Sequence, residues 1–428
     1  MAVQDEITGE QTMLTAAPGR RGVRLLAGYR EVFAHPGAAA FCSTAFLGRL
    51  PVAMTGVAIV FLVHASTGSY ALAGVMNAIA IVSAAAAGPA FGRMVDRLGQ
   101  ARVLVPQIAL HAAALIGEVI AATMHAPAAV LLLTAMPAGA FTPAIGALVR
   151  ARWSSLLGRA TSLNRAYALE SVIDDVVFTA GPVIVAALCV WRVQAGLLAA
   201  AAVELSAGMA FALNRSSVPR PAAGSRKHLL ATLATPGLVV LLAAVFFVGA
   251  FIGTLNIAVV AFTQRQGISA SSGWLLGGFA AASMVAGLAF GQISWGRSAE
   301  RRLRIVLPYL AIAALALPFA PSPLLLAAAL AAAGSGLSPV LITAYTAAER
   351  LSLAGSVAET LTWVVTALTG GSALGAVLSG AVVRHGPHAG FLAGTAAAAL
   401  AAGVCLFMRS PATAARRGDA SAGPAGDG

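Results

Sequence analysis

The sequence predicts an all-α polytopic membrane protein, with twelve transmembrane helices in two six-helix halves and both termini cytoplasmic. Three observations predict it. The chain of 428 residues is 59% hydrophobic and 10% charged, with a mean hydropathy of +0.86. Soluble domains carry about 25% charged residues, so this chain cannot cover its surface with polar groups and its solvent is lipid. Second, about twelve apolar runs follow one another. Each is roughly 20 residues, enough to cross a hydrocarbon core of about 30 Å at about 1.5 Å per residue. Third, the positive charges fall on alternate connections.

The runs lie at about 38–63, 70–91, 103–123, 127–149, 166–189, 191–213, 236–262, 271–293, 304–320, 322–346, 357–382 and 388–408. With the N-terminus inside, the inner segments hold 23 of the 27 Lys and Arg residues. These are Arg20, Arg21, Arg24 and Arg30; Arg93, Arg97 and Arg102; Arg150, Arg152, Arg159 and Arg165; Arg215, Arg220, Arg226 and Lys227; Arg297, Arg301, Arg302 and Arg304; Arg350; and Arg409, Arg416 and Arg417. The outer segments hold three, Arg192, Arg265 and Arg384, and Arg49 lies within the first run. One missed helix would flip every later loop, so the asymmetry supports an even number of spans with both ends inside. The same scatter argues against nucleic acid as the reason for the net charge of +12, since no basic domain exists.

Residues 1–35 are polar and mixed in charge. They lack the apolar stretch behind a basic start that marks a cleaved signal peptide. The first run carries Arg49 followed by Pro51. A charge near the bilayer centre costs roughly 2.5–3.5 kcal/mol on insertion scales. Arg49 therefore meets substrate or a carboxylate across a cavity, or it forms a structural ion pair or snorkels.

The second run ends in a charged island, Gly92-Arg-Met-Val-Asp-Arg-Leu-Gly-Gln-Ala-Arg102. Gly92 and Gly99 bracket Asp96 and Arg97, and two glycines allow a tight turn between helices. The pattern Gly-x-x-x-Asp-Arg-x-Gly-x-x-Arg closely resembles the signature loop between helices two and three of the major facilitator superfamily. The resemblance extends over residues 36–408. It implies two parallel six-helix halves with a binding site at their interface, and rocking of the halves around it. It also implies that Asp96 stabilises one conformation by contacting the start of helix eleven. There Glu359 would oppose Asp96 unless Arg93 or Arg97 bridges both.

The third and sixth runs contain Glu118 and Glu204, read as packed pairs or boundary residues at the periphery. The fourth has no arginine within 127–149; Arg150 and Arg152 sit at its cytoplasmic end. Proton-coupled exporters of the superfamily often carry an arginine in this helix, so Arg49 replaces it, or coupling differs, or transport is not proton-driven. The fifth run is the richest, with Glu170, Asp174 and Asp175. Glu170 and Asp174 share a helix face, and Asp175 is turned about 100° away. A carboxylate that changes protonation as access alternates is what proton coupling needs; for Glu170 the alternative is a cap or a cytoplasmic ion pair with Arg165. Gly181-Pro182 follows and resembles the end of the superfamily's antiporter signature, without its further glycines. Pro182 removes a backbone donor and can kink the helix.

Residues 214–235 form the longest internal polar stretch and are read as the linker between an N-terminal half, 36–213, and a C-terminal half, 236–408. Traces of a repeat support the division: Gly92 is echoed by Gly291, Thr142-Pro143 by Ser338-Pro339, and Glu170 by Glu359. The second-half loop, Gly291-Gln-Ile-Ser-Trp-Gly-Arg297, has no acidic residue. Thr254 and Asn256 in the seventh run and Tyr345 in the tenth are cavity liners or helix–helix hydrogen-bonding groups. Gly370, Gly371, Gly375 and Gly380 in the eleventh let helices pack closely. Residues 409–428 read as a disordered tail.

The cysteines Cys42, Cys189 and Cys405 are far apart and suggest neither metal nor disulfide framework; His64, His111 and His125 have no ligand spacing. No metal, no cofactor and no enzymatic constellation is expected, and the lack of a phosphate-cradling Gly-x-x-x-x-Gly-Lys-Ser loop speaks against ATP as the driver. The expected function is secondary transport of a small organic molecule across the cytoplasmic membrane by a functional monomer, with protons as the coupling ion and export as the direction. The alternatives are proton-coupled uptake of a metabolite and a non-transporting membrane sensor or scaffold.

Overall fold

The computed structural model describes residues 29–157, 160–215, 218–219, 232–235, 237–268, 271–293, 295–296 and 298–408. The basic residues Arg20, Arg21, Arg24, Arg159, Arg220, Arg226, Lys227, Arg297, Arg409, Arg416 and Arg417 lie outside the described residues. So do most of the 214–235 linker, the first 28 residues and the 409–428 tail.

Twelve helices among the described residues are long and apolar enough to cross a membrane. They are α1 (Ala38–Thr67), α2 (Tyr70–Leu98), α3 (Gln100–Thr123), α4 (Ala128–Leu156), α5 (Ser162–Trp191) and α6 (Ala195–Leu213), then α7 (Leu238–Arg265), α8 (Ser272–Gln292), α9 (Ala299–Phe319), α10 (Pro323–Leu351), α11 (Val357–His385) and α12 (Pro387–Leu406). Twelve is even, so α1 begins and α12 ends on the same face, called here the terminal face.

At that face the helices outrun the apolar runs. α2 continues through Arg93, Asp96 and Arg97; α4 continues through Arg150 and Arg152; α10 continues through Glu349 and Arg350. Polar residues end a hydrophobic run without ending a helix, because Arg, Glu, Met and Leu all favour helical backbone. Two expectations are corrected. Gly92 does not help to make the turn after α2: it lies inside the helix, and Gly99, at φ 89°, makes the turn. The fourth helix does carry arginines, since its span includes Arg150 and Arg152, both buried.

α4 is interrupted between Ala140 and Ile145, where Pro143 has no N–H to give. Gln107 Nε2 donates to the carbonyl of Thr142 at 3.3 Å and satisfies one oxygen freed by the break. Beside it α6 widens into a π turn at Glu204–Gly208. That turn carries Glu204, which is fully buried and lies 2.6 Å from His111 Nδ1 on α3. This pairing fits the packed-pair reading of Glu204, and His111 is the partner. Glu118 is buried with neither carboxylate oxygen hydrogen-bonded.

Small residues set the closest approaches. A Cβ added at Gly371 or Gly375 of α11 would stand 1.9 or 2.1 Å from a backbone oxygen of α7; one at Gly249 or Gly253 of α7 would meet α11 at 2.1 or 1.9 Å. Gly370 and Gly380 have no such neighbour. The two halves repeat a second close approach. Gly139 of α4 lies against the carbonyl of Ala80 on α2, and Gly334 of α10 against the carbonyl of Phe279 on α8. Cys42, Cys189 and Cys405 are free and buried.

Candidate functional site

Between α1, α4 and α5 the fold assembles a buried charge cluster. Arg49 is the twelfth residue of α1 and Asp174 the thirteenth of α5, so each lies about 17–18 Å in from the terminal face at about 1.5 Å per residue. Arg49 pairs with Glu170 through Nη2 and donates from Nη1 to Asp174 Oδ1 at 2.8 Å. Arg150, from the second segment of α4, donates to the other oxygen of Asp174 at 2.6 Å and to its own helix at the carbonyl of Gly146. Asp174 thus bridges two guanidinium groups. Glu170 also accepts from the indole N–H of Trp153 at 2.7 Å. The Arg150 guanidinium stacks over the ring of Tyr345, 4.0 Å from its centroid.

Two cations and two carboxylates balance. Arg49, Arg150 and Glu170 are buried, while the Asp174 side chain keeps 23% of its exposure. An ion at this depth is tolerable only when paired and hydrogen-bonded, and this one is. Glu170 does not pair with Arg165; Arg165 takes Glu31, at 2.9 Å.

Asp175 stands apart, as the 100° turn on the helix requires. Its Oδ2 accepts from Ser338 Oγ on α10 at 3.2 Å, and Ser338 in turn lies 2.9 Å from Ser283 Oγ on α8. A carboxylate of the N-terminal half thereby reaches two helices of the C-terminal half through hydroxyls. Gly287 on α8 leaves the room: a Cβ there would stand 2.8 Å from Ser338 Cβ.

A second constellation lies at the terminal face. Asp96 Oδ1 accepts from the backbone N–H of Ala358 at 3.1 Å and Oδ2 from that of Glu359 at 2.8 Å. Those N–H groups belong to the first turn of α11 and have no intrahelical partner. A carboxylate there also meets the positive end of the helix dipole. Gly92 permits the approach, since a Cβ would come 2.9 Å from Glu359 Cα. Arg93 and Arg97 stand near enough for their charge to act on Glu359. Arg97 and Arg102 are exposed. Beside this contact is a cavity of about 230 Å³, lined by Asp96, Gln100, Ser154 and Pro219 among others. Ser154 donates to Glu349 of α10 at 2.8 Å, a further tie between the halves.

The remaining candidates separate. Asn256 is exposed on α7. Thr254 donates to carbonyls of its own helix. Gly181 is buried where α5 crosses α1, with room for no more than hydrogen against Ala53; Pro182 follows inside a continuous helix. Sequence reasoning missed Arg150, Trp153, Ser283 and Ser338 as partners. Arg150 and Trp153 are three apart on one helix face, a spacing that could have flagged them.

The major facilitator superfamily model matches residues 41–358. No curated protein matches the chain by sequence. Among solved structures, a bacterial homologue of the iron transporter ferroportin in its outward-facing state aligns with a TM-score of 0.69 at 13% identity, over 86% of this chain and 98% of that one. The E. coli fucose:proton symporter aligns at 0.67 and 13%, over 87% and 98%. The human organic anion transporter MFSD10 aligns at 0.66 and 17%, over 88% and 100%. These likenesses are of fold. With twelve helices long and apolar enough to span a membrane, Asp96 of the signature loop in contact across the halves and a family match over most of its length, the chain belongs to the major facilitator superfamily.

Proposed function

We propose that this protein is a proton-coupled secondary transporter that exports a small organic molecule across the cytoplasmic membrane by alternating access. In this reading both termini are cytoplasmic, residues 214–235 link the halves, and the terminal-face contacts of Asp96 and Ser154 hold the cytoplasmic side closed. The observation that carries it is the placing of charge: Arg49, Glu170, Asp174 and Arg150 at mid-membrane, with Asp175 touching the other half through Ser338. A scaffold gains nothing from four buried charges.

Magnitudes assign roles within the cluster. Neutralising Asp174 strips two charge-assisted hydrogen bonds, worth about 1.5–3 kcal/mol each, and leaves Arg150 without its carboxylate. Neutralising Asp175 weakens its hydroxyl contacts from the charged to the neutral range, by about 1–1.5 kcal/mol each, and leaves no cation without its carboxylate. Asp175 is therefore the carboxylate that trades its proton as the halves move, and Asp174 is the counter-ion that positions the two arginines. Export is favoured over uptake by Gly181-Pro182, whose close seat on Ala53 of α1 matches the use of that pair in the antiporter signature.

The test is proton flux in proteoliposomes holding a pH gradient, driven by a panel of lipophilic cations and metabolites. The expected result is proton movement opposite to substrate in the wild type. Asp175→Asn should abolish it while leaving substrate exchange across equal pH intact. Flux that survives Asp175→Asn would remove the assignment, and proton movement in the same direction as substrate would replace export by uptake.

A further inference from the structure

The repeat exposes an asymmetry at the terminal face. Gly92 and Gly291 lie 199 residues apart, and so do Ala80 and Phe279, which receive the matching glycines of α4 and α10. The same register puts Trp295 where the first half has Asp96. Trp295 gives its indole N–H back to Phe290 at 3.4 Å, within its own half. Among the described residues, the acid that ties α2 to α11 thus has no acidic counterpart in the loop after α8.

The place is filled from elsewhere. Residues 29–33 form a helical turn before α1. Its Val32 is buried in the core, and its Glu31 pairs with Arg165 of α5 at 2.9 Å, so the turn is fixed to the N-terminal half. From that seat Tyr29 reaches across. Its hydroxyl donates to the carbonyl of Leu288 on α8 at 3.0 Å. At Gly291 a Cβ would stand 2.9 Å from the Tyr29 hydroxyl and 2.4 Å from Ala168 Cβ on α5. Gly291 thus admits Tyr29 and α5 as Gly92 admits Glu359 and α11.

We propose that Tyr29 is the second gate contact of the terminal face, supplying across α5 and α8 the closure that Asp96 supplies across α2 and α11. The proposal rests on alternating access and on nothing about substrate or protons. Tyr29 is a positioning residue: it touches no transported molecule and acts on the balance between conformations. Burial pushes its phenol up to about 12 from the ordinary 10.0. Its contribution as a donor is thus complete below the ordinary value and lost only as pH rises through the shifted one. Closure through Tyr29 is independent of pH in the neutral range.

The test needs no substrate. Spin labels at Leu98→Cys on α2 and Arg301→Cys on α9, both exposed at the terminal face, report the separation of the halves. The three native cysteines are replaced by alanine in the full chain. Pulsed electron–electron distances in nanodiscs should show a mainly short separation in the parent. Tyr29→Phe, which removes one oxygen and keeps the ring, should raise the ratio of long to short separations about two- to tenfold, the range one neutral hydrogen bond supports. Its thermal unfolding should be unchanged within the spread of the parent, and its effect should be the same at pH 6.5 and pH 8, both well below the ordinary phenol value of about 10. Tyr29→Trp, too large for the site beside Gly291, should shift the ratio the same way. A distance distribution in Tyr29→Phe that matches the parent overturns the proposal, whatever Asp96→Asn does. So does a shift that appears only at one pH.

Discussion

A guanidinium buried among helices has to be paired, and the second arginine of the cluster shows how: both its Nη groups are matched, while its Nε has no partner. Arg150 spends its donors on Asp174 and the Gly146 carbonyl and lays its plane on Tyr345. Lysine would keep the charge and lose the plane, the fork and the stack. Arg150→Lys should therefore lower stability by about 2 kcal/mol, from a cation–π contact of about 0.5–2 and part of a charged hydrogen bond. Arg301→Ala, at an exposed position outside every site described, should change it by less than about 0.5 kcal/mol. Thermal unfolding in detergent, read by intrinsic fluorescence, checks both; equal losses would mean that the cluster is not what Arg150 stabilises. The sequence shows Arg150 as the end of a hydrophobic run. It cannot show that α1, α5 and α10 close around that end, because hydropathy records what lipid touches and not what protein covers. Arg49 was legible for the opposite reason: it interrupts its run in the middle, where no boundary error could hide it.

At the scale of the element, contact between α7 and α11 is governed by glycine, and the glycines are not equivalent. Apolar and small residues occur on several sides of both helices, so no single stripe in the sequence marks the contact face. A sequence can name Gly370, Gly371, Gly375 and Gly380 as packing residues and cannot choose among them. The fold chooses Gly371 and Gly375, which meet the carbonyls of Phe246 and Ala250. Gly371→Ala would drive a methyl group into the Phe246 carbonyl, which cannot give way without parting the helices. A loss of about 1–3 kcal/mol is expected, the usual cost of overpacking. Gly380→Ala meets open space and should be neutral or gain up to about 1 kcal/mol from helix propensity. Unfolding of the two variants side by side is the measurement, and a reversed order would mean that α7 and α11 do not meet at these residues. The broken α4 was legible only in part. Pro143 announces a disturbance, but proline in a membrane helix often leaves the helix continuous. Here the break persists because Gln107 of α3 takes up a freed carbonyl.

Over the whole molecule the repeat fixes where the halves can meet, and the signature fixes how firmly. Helix count, the halves and the Asp96 loop were legible because they are written in run length, charge and a motif. The contact of Asp96 with the start of the eleventh helix was legible through the resemblance; the choice of Ala358 and Glu359 was not, since they act through backbone N–H groups that nearly every residue possesses. Asp96 serves two of them and the helix end together. Asn at that position keeps one acceptor and loses the charge. The loss is a helix-end interaction of about 0.3–1 kcal/mol plus the weakening of one charged hydrogen bond, offset by water that reaches the same N–H groups once the gate opens. A net of about 1 kcal/mol corresponds to about a fivefold rise in the ratio of open to closed terminal face. The same label pair on α2 and α9 reads it. Because a partly exposed charge on a helix end is screened by salt, raising ionic strength should open the parent and leave Asp96→Asn nearly unmoved. If salt opens both alike, the Asp96 carboxylate is not the charge that holds the face, and closure rests on the other contacts, the Ser154–Glu349 hydrogen bond and the neutral one from Tyr29.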